Sequence, residues 1–123
     1  MPLPPPVVHT DPTAQFVFER RGGAIIHARL SIWDDPGGPN QKRVDVLFFE
    51  DSLDAKETFT RTLPAGIYDC GLLVFIREDL NGTYDYLHLA AGDEVGRDGG
   101  DVNTSGAPGE GRANRHEYVL VVA

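Results

Sequence analysis

Residues 24–33 read Ala24-Ile25-Ile26-His27-Ala28-Arg29-Leu30-Ser31-Ile32-Trp33. From Ile26 onward, apolar and polar side chains alternate without a break. Ile26, Ala28, Leu30 and Ile32 fall on one side, and His27, Arg29, Ser31 and Trp33 on the other. A period of two marks a strand with one face in a core, because successive side chains leave opposite faces of the pleated backbone. A helix over the same residues would scatter the four apolar side chains around its circumference.

The same period recurs on both sides of this segment. Residues 15–20 place Phe16 and Phe18 on one face, and Arg21-Gly22-Gly23 follows as a tight turn. Residues 42–50 are apolar on both faces, Val44, Val46 and Phe48 against Leu47 and Phe49, which predicts a central strand. Residues 55–63 carry Thr58, Thr60 and Thr62 on a wet face. Residues 67–77 set Tyr68, Cys70, Leu72, Val74 and Ile76 against Leu73 and Phe75. Residues 84–90, after an Asn81-Gly82 turn, and 115–122 complete seven strands. No stretch keeps a helical apolar spacing, and 14 glycines and 9 prolines punctuate the chain. The pattern predicts an all-β, antiparallel β-sandwich of seven or eight strands, immunoglobulin-like or of related topology. The 123 residues make one domain over 15–123, with a long Gly-rich loop at 91–113. Residues 1–14, with prolines at 2, 4, 5, 6 and 12, read as an extended N-terminal arm.

One local motif supports the sandwich. Leu63-Pro64-Ala65-Gly66-Ile67-Tyr68-Asp69-Cys70 resembles the tyrosine corner of immunoglobulin-like domains. In that corner a Tyr at the start of a central strand, two residues before a Cys, hydrogen-bonds back to the preceding turn. The resemblance implies a bond from Tyr68 to the corner. The chain has a single cysteine, so the immunoglobulin disulfide is excluded, and Cys70, mid-strand on an apolar face, reads as an inert small hydrophobe.

Charge narrows the function. With 19 acids against 11 bases the net charge is -8, which argues against a nucleic-acid partner. No apolar run is long enough to span a membrane. The start lacks the basic and apolar regions of a secretory signal, so the expectation is a cytoplasmic protein or one released without a cleaved signal. No nucleophile elbow, phosphate-binding glycine motif or metal-ligating histidine spacing occurs, and an enzyme is not expected. His27, His88 and His116 lie on three predicted strands, where half-exposed sheet histidines are the ordinary outcome.

If successive strands reverse, loops 34–41, 64–66 and 91–113 share one end of the sandwich. That end would gather Asp34, Asp35, Asp93, Glu94, Asp98 and Asp101, with Asn103 nearby. Carboxylates on flexible loops suit calcium, which takes six to eight oxygen ligands. Asp93, Asp98 and Asp101 are therefore the candidate metal ligands. Trp33, with Asp34, Asp35 and Asn103, forms a candidate ligand site, since an exposed indole suits a sugar face or a protein anchor. Size, acidity and the Gly/Asp/Asn loop resemble soluble bacterial lectins in general style. The expected function is non-catalytic binding of a glycan or protein partner, by a lectin-type or calcium-assisted module using its end loops. The alternative is a structural subunit of a homo-oligomer joined by the N-terminal arm and edge strands.

Overall fold

A computed structural model of the chain describes residues 5–22, 26–34, 38–39, 41–50, 55–77, 83–101 and 111–123. Among the described residues there are nine strands: β1 (Val7–Thr10), β2 (Thr13–Gly22), β3 (Ile26–Asp34), β4 (Arg43–Phe49), β5 (Ala55–Thr62), β6 (Gly66–Arg77), β7 (Thr83–Ala90), β8 (Asp93–Asp101) and β9 (Gly111–Val122). They form a five-stranded sheet in the order β1-β9-β6-β3-β4 and a four-stranded sheet in the order β5-β2-β7-β8. Every pairing is antiparallel except β1 with β9. Among the described residues no helix is long and apolar enough to cross a membrane.

The alternation read in the sequence sets the two faces. Ile26, Ala28, Leu30 and Ile32 of β3 and Tyr68, Cys70, Leu72, Val74 and Ile76 of β6 are buried. They face Ala14, Phe16 and Phe18 of β2 and Tyr84, Tyr86 and His88 of β7 in one core. Aromatic rings pack there: Phe18 meets Phe49 of the other sheet with centroids 5.3 Å apart, and Tyr86 of its own sheet at 5.6 Å. Arg61 of β5 and Asp45 of β4 add an ion pair between the sheets at 3.0 Å.

The Tyr68 hydroxyl donates to the Pro64 carbonyl at 2.6 Å. The corner bond implied by the resemblance is therefore present. The strand order around it departs from the immunoglobulin arrangement, because the β7–β8 hairpin separates β6 from its neighbour β9. Burial, and next the charge of Asp34, raise the Tyr68 pKa, so the hydroxyl keeps its proton at any ordinary pH. Tyr68→Phe is expected to cost about 1 kcal/mol, because it leaves a carbonyl without its donor. Urea unfolding would show this as a lower midpoint at unchanged slope, and an unmoved midpoint would remove the corner from the account of stability.

Several expectations are corrected. β4 is an edge strand, not a central one, and its second apolar face stays in solvent, with Phe48 52% exposed. Of the expected tight turn Arg21-Gly22-Gly23, Arg21 and Gly22 are the last residues of β2, Gly23 lies outside the described residues, and the next strand, β3, is in the other sheet. The expected N-terminal arm is in part a strand: β1 lies parallel along β9, buries Val8, and caps the pair with Val119 N to Pro6 O at 2.8 Å and Ala123 N to Thr10 O at 3.0 Å. The expected loop at 91–113 is strand over Asp93–Asp101 and again from Gly111. Ala91 and Gly92, with φ of 49° and 85°, form the two-residue turn that joins β7 to β8. Two consecutive positive φ values match the twist of a hairpin.

Candidate functional site

The outer face of the five-stranded sheet is a grid of cross-strand rows. One row runs Arg43, Trp33, Asp69, Val119, Val7, and the row two residues further along β3 runs Val46, Ser31, Gly71, Glu117. The next runs Phe48, Arg29, Leu73, Arg115. The middle row has the smallest side chains at its centre. Nothing lies within 4 Å of where a Cβ on Gly71 would stand. Large residues in the rows on either side leave a groove of about 520 Å³ with Ser31 and Gly71 on its floor. Trp33 forms one wall and is 37% exposed. A register shift between Ile32 and Trp33 brings Arg43 opposite the indole, with its guanidinium 5.9 Å from the ring centroid. Such a contact braces the ring without covering both of its faces.

Polar groups rim the groove. Gln41 Nε2 donates to Asp69 Oδ2 at 3.0 Å, and Arg115 Nε pairs with Glu117 Oε1 at 3.1 Å. These are exposed contacts that a ligand hydroxyl can replace or extend. The groove thus offers an aromatic face, an amide, two carboxylates and three guanidiniums around a small-residue floor.

Of the residues picked out by the sequence, Trp33 lines this groove. Asp34 does not. Its Oδ1 accepts from Lys42 N at 2.9 Å while its own N–H donates to Lys42 O at 3.0 Å, which closes the neck of the segment after β3. Asp34 lines a second, open hollow of about 820 Å³ beside Pro64, Ile67 and Tyr68. Asp35 and Asn103 lie outside the described residues.

The candidate metal ligands are spread out rather than gathered. Asp93 pairs with Ala90 at one end of β8, and Asp101 pairs with Thr83 at the other. An extended strand puts five residues roughly 17 Å apart, so Asp93 and Asp98 cannot share an ion whose ligands lie within about 2.5 Å of it. Asp98 is engaged already. Its Oδ2 accepts from Tyr84 Oη at 3.0 Å and from Asn114 Nδ2 at 2.6 Å. Among the described residues no group of three or more His, Cys, Asp or Glu could hold a metal ion.

Sequence reasoning missed a polar cluster between the sheets. Asn114 Nδ2 also donates to Tyr86 Oη at 3.2 Å, so the Tyr86 hydroxyl proton points to His116 Nε2, 2.6 Å away. Burial raises the Tyr86 pKa to about 12 and lowers that of His116. Both groups are thereby held neutral, and the cluster links β7, β8 and β9 with the Asp98 carboxylate as its acceptor. Gly96 makes it possible, since a Cβ there would stand 2.9 Å from His116 Cγ. Tyr84, Asp98, Asn114 and His116 line neither large hollow. His27 sits half-buried on the opposite face of β3, so the three histidines do not converge. The parity of Tyr84, Tyr86 and His88 along β7 was the signal that could have found the cluster.

No protein-family model and no curated protein sequence matches the chain. Among solved structures it is similar to a DUF4425 family protein from Bacteroides ovatus. The TM-score is 0.43 at 9% identity, over 89% of this chain and 96% of that one. A likeness of that size carries no argument about function.

Proposed function

We propose that the protein is a non-catalytic, lectin-type recognition module that binds a glycan in the Trp33 groove, on the sheet face rather than on the end loops. The supporting observation is a half-exposed indole, braced by Arg43, beside a floor emptied by Ser31 and Gly71. A sugar ring presents C–H groups on one face and hydroxyls around its edge. The indole suits the first, and Gln41, Asp69 and Glu117 suit the second. Burial of a few convergent polar groups beside one aromatic anchor is how small ligands are oriented.

Trp33 is the only tryptophan in the chain, so its fluorescence reports the site directly. A panel of oligosaccharides titrated against that signal is expected to give saturable shifts. Trp33→Ala, followed by calorimetry, is expected to weaken binding by about thirtyfold, the size of an aromatic anchor, while leaving the thermal midpoint within a few degrees. Running the titrations in EDTA and in millimolar calcium separates a cation-assisted site from a direct one. Equal affinity in Trp33→Ala, or no saccharide that moves the fluorescence, would overturn the reading.

A further inference from the structure

We infer that the ligand of this groove is an anionic saccharide, and that Arg29 receives its carboxylate or sulfate group. The inference rests on the carbohydrate reading above and adds the charge of the ligand to it.

The chain has nine arginines and two lysines against 19 acids. Among the described surface arginines Arg61, Arg97 and Arg115 each meet a carboxylate. Three of the nine arginines, Arg29, Arg43 and Arg115, line this one groove. The two acids of the groove are already occupied, Asp69 by Gln41 and Glu117 by Arg115. Arg43 lies over the indole.

Arg29 is the exception. Its direct neighbours across the strands are Phe48 on one side and Leu73 on the other, and its neighbours on the same face of β3 are His27 and Ser31. None of these is an acid, and Glu50, which lines a neighbouring hollow of about 410 Å³ with Arg29, makes no ion pair with it among the described residues. Among the described residues no ion pair or hydrogen bond engages its guanidinium, although the side chain stands in solvent on the outer face. A guanidinium with no paired acid is free to make a charge-assisted, two-pronged bond to an oxyanion. Arg115 sits in the same row two strands away, roughly 10 Å across the sheet. Arg29 stands four residues from Trp33 along β3, roughly 13 Å, with the Ser31–Gly71 floor between them. A saccharide chain laid along the floor would stack one ring on Trp33 and deliver an acidic substituent to Arg29.

The test uses the whole chain and three probes: trigalacturonate for carboxylate, a sulfated hexuronate–hexosamine tetrasaccharide for sulfate, and neutral maltotriose. Trp33 fluorescence is titrated at 20, 150 and 500 mM NaCl. The expected result is that at least one acidic probe binds about tenfold or more tighter than the neutral one at low salt, and that the gap closes as salt rises. Arg29→Gln should erase the preference for the acidic probe over maltotriose. Arg29 faces solvent, so the variant is expected to fold, and circular dichroism checks that. The carboxylate and sulfate arms show which oxyanion is taken. Equal binding of acidic and neutral probes, or an acidic preference that survives in Arg29→Gln, overturns the inference and leaves the carbohydrate reading standing. Silence from all three probes together with the broader panel overturns both.

Discussion

Between pH 7 and pH 4 the folded state is expected to lose about 3 kcal/mol of stability through one side chain, His88. His88 is fully buried, and its hydrogen bonds fix its state. Nδ1 stands 2.8 Å from the Val17 carbonyl, which can only accept, so Nδ1 carries the proton. Nε2 is therefore bare and accepts from the Tyr118 hydroxyl at 3.0 Å. Tyr118 in turn is hydrogen-bonded to Cys70, whose thiol burial pushes up to about 12. Every donor in this row finds an acceptor only while the imidazole is neutral. A second proton on Nε2 would meet a hydroxyl turned the wrong way, in a site walled by the Phe49 and Tyr118 rings.

Burial lowers the His88 pKa from 6.5 to about 4, against a smaller opposing effect of the Val17 bond. The unfolded chain therefore binds the proton first as pH falls. Stability from this group is full well above pH 6.5, declines through the window from 6.5 to 4, and is gone below it. About 1 kcal/mol should vanish already between pH 7 and pH 5.5, where most carboxylates are still ionised. His116, also lowered by burial, acts in the same direction. Urea unfolding at pH 7, 5.5 and 4, with the His88 ring followed by NMR, checks the claim. A ring that titrates near 6.5 in the folded protein, or flat stability from pH 7 to 5.5, would sink it.

How far the sequence could be read depended on side-chain parity. The faces of β3 and β6 were legible because their alternation is unbroken, and Tyr68 was legible because its corner motif is local. β8 was not. It reads Asp93-Glu94-Val95-Gly96-Arg97-Asp98-Gly99-Gly100-Asp101, the composition of a loop, and Val95 alone among these residues is a buried hydrophobe. Backbone pairing to β7 makes it a strand, with a bulge that leaves Val95 unpaired between His88 and Leu89 of the partner. Gly96 is small because the His116 ring occupies its side-chain space, which is a long-range fact. β8 reverses the chain once more, so Asp93 stays at the Asp34 end of the sandwich while Asp101 stands at the opposite end. Trp33 was placed on the correct face, but its partners Gly71, Asp69 and Arg115 come from β6 and β9, whose register no local pattern specifies.

Arg20 carries the same lesson into energetics. The alternation that turns Phe16 and Phe18 inward turns Arg20 inward as well, and its side chain is 1% exposed. Its guanidinium lies 4.9 Å from the Phe18 ring centroid, Nε donates to Ile26 O at 3.1 Å, and Nη1 stands 3.0 Å from Glu57 Oε1. Neither Nη atom has a well-aligned hydrogen bond, so the pair is held by charge more than by direction. Removing one partner of a buried pair leaves an uncompensated charge, whereas replacing the cation by an apolar side chain of similar length removes the problem altogether. Glu57→Gln is therefore expected to destabilise by about 2–3 kcal/mol, the lower part of the usual range because the glutamate side chain is 22% exposed. Arg20→Met should cost less than Glu57→Gln, and the loss in the double variant should fall short of the sum of the two singles. Urea midpoints of the two single variants and the double variant decide the matter. Glu57→Gln within about 0.5 kcal/mol of the parent, or a double variant whose loss is the sum of the singles, would mean that the buried guanidinium does not depend on Glu57.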